Sequence, residues 1–118
     1  MSNYVGHRES TREWWDQAAC ARVGSPDWWD NPSSGVTLDH ARAVAVCVTC
    51  PVKDRCLADA VAAGGEHNIR AGLFPAHQFE LIRSGSTRPR MMMLVQRLMD
   101  AGKDWEAAAH TAYGRLRV

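Results

Sequence analysis

Four cysteines are the residues whose type and spacing could do chemistry in this sequence. Three of them stand within "CVTCPVKDRC", as Cys47, Cys50 and Cys56, and the fourth, Cys20, lies upstream in "WWDQAAC". The spacing is C-x26-C-x2-C-x5-C, with no cysteine left over. Three chemistries compete for such a set. Four thiolates can bind tetrahedral zinc, but structural zinc sites usually show two short cysteine pairs, and Cys20 has no near partner. Two disulfides are allowed by the even count, but Cys47 and Cys50 would make a strained short pair. An iron–sulfur cluster suits three clustered cysteines plus a remote one, because a cube of iron and sulfide needs ligands from several directions. Spacing alone favours the cluster, then zinc, then disulfides.

The elements that must bring these thiols together read as short helices. "REWWDQAACAR" can form a first helix, ending near Gly24 and the turn-like "GSPD". "WWDNPSSG" reads as loop. Thr37 can cap a helix through "LDHARAVAVCVTC", with Asp39 well placed in its first turn. Pro51 breaks that helix and suits the first position of the next, "PVKDRCLADAVAA", which Gly64 and Gly65 would stop. Cys47 and Cys50, at i and i+3, share one face, and Cys56 sits in the following helix. "EHNIRAGLFP" reads as a turn, and "PAHQFELIRSG", "PRMMMLVQRLMDAG" and "DWEAAAHTAYGRLRV" as three further helices. Nothing alternates with period two, so the expected class is all-α: a small bundle of short helices organised around the four cysteines, with a C-terminal helical extension.

A chain of 118 residues with only two Phe has room for a thin core, and thin cores commonly need a staple. Residues 1–13 read as a flexible polar lead, residues 14–86 as the cysteine-bearing domain and residues 87–118 as a basic helical extension. No signal peptide opens the chain and no stretch approaches the length of a membrane span, so a reduced cytoplasm is the expected location, where clustered cysteines are metal-binding or redox-active. The net charge of +1 hides an asymmetry, with the excess of Lys and Arg after residue 81. Arg88, Arg90, Arg115 and Arg117, with Arg83 and Arg97, are therefore candidates for contact with nucleic-acid phosphates. Trp14, Trp15, Trp28 and Trp29 surround Cys20 in the polar N-terminal third. Adjacent tryptophans in a loop do not easily both point inward, which suggests an exposed aromatic patch of the kind that marks interfaces. The five histidines lack ligand spacing with the cysteines and read as structural or solvated. The Met91-Met92-Met93 run reads first as packing.

Taken together, "ACARVGSPDWWDNP" and "CVTCPVKDRCLADAV" resemble the WhiB-like family of iron–sulfur transcription regulators from actinobacteria and their phages. The likeness rests on the cysteine intervals, on Trp14 six residues before Cys20, on Trp28-Trp29 just after it and on Pro51. It implies that Cys20, Cys47, Cys50 and Cys56 ligate a [4Fe-4S] cluster. It also implies that the domain binds the C-terminal domain (region 4) of the primary sigma factor within RNA polymerase, with the basic tail near promoter DNA. Oxygen or nitric oxide would then be the signal. A glycine-rich turn with a tryptophan usual in the family reads "NIRAGLFP" here: Asn68, which tolerates a left-handed backbone, stands for its first Gly, and Arg70 replaces the Trp. The partner surface expected from the resemblance is Trp14, Trp28, Trp29 and Phe74, with Arg70 meeting an acidic group or stacking on a ring.

Two other readings are open. Cys47-x-x-Cys50 could serve a thiol–disulfide reductase, but that motif wants a βαβ setting absent here. "LVQRLMDAG" with "DWEAAAHTAY" resembles two helices of a helix-turn-helix unit, though no separate recognition helix follows. No paired carboxylates, phosphate-binding glycine loop or nucleophile elbow appears, so no enzyme is expected.

Overall fold

The computed structural model describes residues 14–32, 35–84 and 89–117, with side chains to residue 115. The expected polar lead, residues 1–13, lies outside the described residues. The chain is all-α: a helical turn at 14–16, two 3-10 turns at Ala19–Arg22 and Pro26–Trp29, then α1 (Leu38–Val48), α2 (Lys53–Ala62), α3 (Pro75–Ser84), α4 (Arg90–Asp100) and α5 (Trp105–Arg117). Among the described residues no strand forms, and one isolated bridge pairs Arg70 with Leu73.

α1 is the central rod. Ala41, Ala43, Val44, Ala45, Val46 and Cys47 are all buried, so it is covered on nearly every side. Thr37 caps it as expected: its hydroxyl accepts from the His40 backbone N–H at 3.3 Å. The reciprocal bond, from the Thr37 N–H, ends on the Nδ1 of His40 at 3.1 Å, an imidazole in the place usually held by Glu or Gln. With Nδ1 accepting, Nε2 carries the proton and donates to the Asp30 carbonyl at 2.9 Å. His40 thus ties the start of α1 to the end of the second 3-10 turn.

The remaining covers come from both ends of the chain. Met91, Val95 and Leu98 of α4 and the small face Ala108, Ala109 and Ala112 of α5 join α1 and Trp29 in a single buried cluster. The basic extension is therefore packed into the core. Trp14, Ala18 and Val52 form a second, smaller cluster against Cys50 and Cys56.

Helix limits differ slightly from expectation. α1 ends at Val48, where the Thr49 hydroxyl caps the Val46 carbonyl at 2.8 Å, so Cys50 lies outside it. α2 starts two residues after Pro51 and stops at the glycines: Gly65 N–H reaches Ala60 O at 2.9 Å and Gly64 N–H reaches Val61 O at 3.0 Å, a Schellman pair. Gly65 has a second reason to be glycine, because a Cβ there would meet the Phe79 ring at 2.6 Å. The stretch read as one helix from Arg12 to Arg22 is broken at Ala18, whose backbone is extended.

Candidate metal centre

Each cysteine reaches the site from a different local setting. Cys20 sits in the first 3-10 turn, Cys47 one residue from the end of α1, Cys50 in the link and Cys56 in the first turn of α2. All four line one cavity of about 380 Å³, together with Trp14, Trp29 and Arg70. All four are free thiols. Among the described residues no three His, Cys, Asp or Glu side chains converge closely enough to hold one metal ion. The thiols stand around a volume rather than around a point.

Three of the sulfurs accept an N–H, each from another segment. Ala19 N–H points at Cys50 Sγ (3.4 Å), the Trp29 indole Nε1–H at Cys47 Sγ (3.3 Å) and the Arg70 Nε–H at Cys56 Sγ (3.1 Å). Burial pushes the Cys47 thiol up to about 12, against the Trp29 and Gly72 N–H groups that pull it down. Partial burial, then the neighbouring Cys56 and Cys50, push Cys20 up as well. Thiols that burial raises and neighbouring thiols push further up, as at Cys20 and Cys47, are poorly matched to solvent alone and well matched to a bound cation or cluster. The donor set, its N–H partners and the cavity suit an iron–sulfur cluster, whose sulfurs commonly accept such hydrogen bonds.

Arg70 meets acidic groups, one of the two alternatives expected. Burial works against its charge, but its bonds to Cys56 and Asp59 outweigh that and hold its pKa above the ordinary range. Nη2 donates to the Cys56 carbonyl at 3.1 Å and to Asp59 at 2.9 Å, and Nη1 pairs with Glu66. The turn that carries Arg70 is closed by two hydrogen bonds with Leu73, with positive φ at Ala71 (55°) and Gly72 (81°). Positive φ at both central residues marks a type I′ turn. The left-handed positions are thus Ala71 and Gly72, not Asn68, whose side chain instead accepts from Asn31 N–H at 3.1 Å.

Gln78 of α3 was missed from sequence. It is fully buried; its Oε1 accepts from Glu66 N–H (2.8 Å) and its Nε2 donates to the carbonyls of Asn68 (2.9 Å) and Leu73 (3.0 Å). It fixes both ends of the turn that presents Arg70. Its position on an amphipathic helix gives no sign of this, since a glutamine there reads as solvated.

The tryptophans do not form the expected patch. Trp14 (5 % exposed) and Trp29 (9 %) face inward, and Trp28 is half-buried between Trp105 and the Arg42 guanidinium. Trp15, at 52 %, is the exposed member. Phe74 is half-buried against His40 and His77. Of the phosphate candidates, Arg90 and Arg115 are exposed and line, with Arg97, Met93 and Leu94, a second cavity of about 270 Å³. Arg83 is exposed at the end of α3, apart from that cavity. Arg88 and the side chain of Arg117 lie outside the described residues. No helix among the described residues is long and apolar enough to cross a membrane.

Residues 14–81 match the family model described as "Transcription factor WhiB". No curated protein and no solved structure matches the chain.

Proposed function

This chain belongs to the WhiB family of transcription factors, and from that premise we propose that it is a cluster-carrying regulator acting on RNA polymerase through the primary sigma factor. The observation that carries the reading is the single cavity lined by all four cysteines, with N–H donors aimed at three of the sulfurs. Cys20, Cys47, Cys50 and Cys56 would hold a [4Fe-4S] cluster. When bound, that group supplies one-electron redox chemistry and sensitivity to oxygen and nitric oxide. The chain's own residues bind and shield it: Trp14 and Trp29 wall the cavity with apolar surface, and Arg70 compensates negative charge at Cys56. The proposed contact with region 4 of the sigma factor runs over the cavity mouth, where Trp15 is exposed. Arg90, Arg97 and Arg115 offer phosphate contacts to promoter DNA. A reductase reading is not favoured, because Cys47 is buried and held by Trp29, away from any protein disulfide.

Anaerobic purification tests the cluster. The expected protein is brown, with about four irons and four sulfides per chain, and each Cys→Ala variant loses colour and stability together. Colourless protein with one zinc per chain would overturn the reading. Co-purification with the isolated sigma C-terminal domain, weakened by Trp15→Ala with the visible absorbance intact, tests the partner.

A further inference from the structure

Resting on that cluster reading, we propose that Arg70 is a positioning residue that raises the reduction potential of the centre through its Nε–H bond to the Cys56 sulfur. The guanidinium is held on all of its edges. Nε faces Cys56 Sγ, Nη2 bridges the Cys56 carbonyl and Asp59, and Nη1 meets Glu66. A planar fork with three fixed edges has little freedom to turn away from the sulfur. Its backbone is equally constrained. The type I′ turn closes on Leu73, Gln78 clamps the turn at Glu66, Asn68 and Leu73, and Ile69 N–H bonds to the Trp29 carbonyl at 2.9 Å.

A cluster bound there that took one electron from the titrant would place part of the added negative charge on its ligand sulfurs. A donor fixed at one sulfur, carrying a full positive charge, stabilises the reduced form more than the oxidised one, which moves the potential upward. Asp59 and Glu66 oppose this, since together they outweigh the single cation. Their side chains are 40 % and 35 % exposed, however, against 14 % for Arg70, so water screens them while the Nε–H touches the sulfur directly. The carboxylates orient the guanidinium, and the guanidinium acts on the sulfur.

The experiment is anaerobic redox titration of the full chain, as wild type, Arg70→Gln and Arg70→Lys, monitored by visible absorbance and by EPR of the reduced state. Iron and sulfide are measured first. Wild type without iron defeats the cluster reading, and this proposal with it. With iron present, Arg70→Gln is expected to lower the reduced-to-oxidised ratio at the wild-type midpoint at least tenfold, which is about 59 mV for a one-electron couple. Arg70→Lys, which keeps the charge and loses the fork, should fall between the two and gives the answer if Arg70→Gln does not retain the cluster. A merely structural arginine would change cluster retention and leave the potential alone. Variants that hold full iron at the wild-type potential would overturn the assignment of Arg70 while leaving the cluster reading intact.

Discussion

The rings of Trp28 and Trp105 meet at 5.7 Å with a tilt of 53°, joining the second 3-10 turn to the first residue of the last helix. Arg42 lies over the same Trp28 ring at 5.7 Å and pairs with Asp39 at 2.9 Å. Trp28, the first of the aromatic pair that follows Cys20, is therefore packed between α1 and the start of α5. Trp105→Ala should cost about 2 kcal/mol, the scale for a large, partly buried ring. A lower urea midpoint at unchanged slope would show it, and an unchanged midpoint would mean the contact contributes nothing.

Ending the chain at residue 84 should do far more damage. It would strip Val95, Ala108, Ala109 and Ala112 from Ala41, Val44 and Ala45, all of them fully buried. Loss of a cooperative thermal transition and increased binding of a hydrophobic dye are expected. A truncated protein that melts like the full chain would show that α1 needs no such cover.

Ala71 is strained, since it is the one described non-glycine residue at positive φ. Ala71→Gly should relieve about 1 kcal/mol of left-handed strain, and Ala71→Val should cost more than that. Gly72→Ala should be unfavourable for the same backbone reason, although its Cβ would find ordinary contacts with Cys47 and Met92. Thermal unfolding checks the order, with Ala71→Gly melting above wild type and the other two variants below it.

Reduced, metal-free protein should alkylate at Cys47 last, well after the exposed Cys20. Cys20 is exposed, whereas Cys47 is buried with its thiol pushed up to about 12. Only the thiolate reacts, so Cys47 labelling should climb about tenfold per pH unit from about pH 8 and level off only above the thiol's own pKa. Peptide mass spectrometry after timed iodoacetamide treatment gives the order. Early labelling of Cys47 at neutral pH would contradict its burial.

Much of the scaffold was legible because it is written in short-range signals. Thr37 before an apolar run, Pro51 after a helix end and Gly64-Gly65 after another each act on a neighbouring turn. The cysteine intervals were legible for the same reason. Side-chain direction was not. Trp28 and Trp29 would be forced to opposite sides only in an extended loop. In the 3-10 turn the two rings instead stack at 6.1 Å, Trp29 reaching Cys47 with its Nε1–H while Trp28 meets Trp105. That Arg70 would meet an acidic group was legible, but its bond to the Cys56 sulfur and the clamp made by Gln78 were not: those partners come from other segments of the chain, and residue type says nothing about which of several acceptors will arrive.

The hydrogen bonds at the sulfurs have a topological meaning. If the segments are drawn as nodes and their long-range ties as edges, the 19–22 turn is tied to Cys50, the 26–29 turn to Cys47 and the 66–73 turn to Cys56. Three edges from three separate loops end on one small set of atoms. A group held by these sulfurs would be hydrogen-bonded, through its ligands, to all three loops at once.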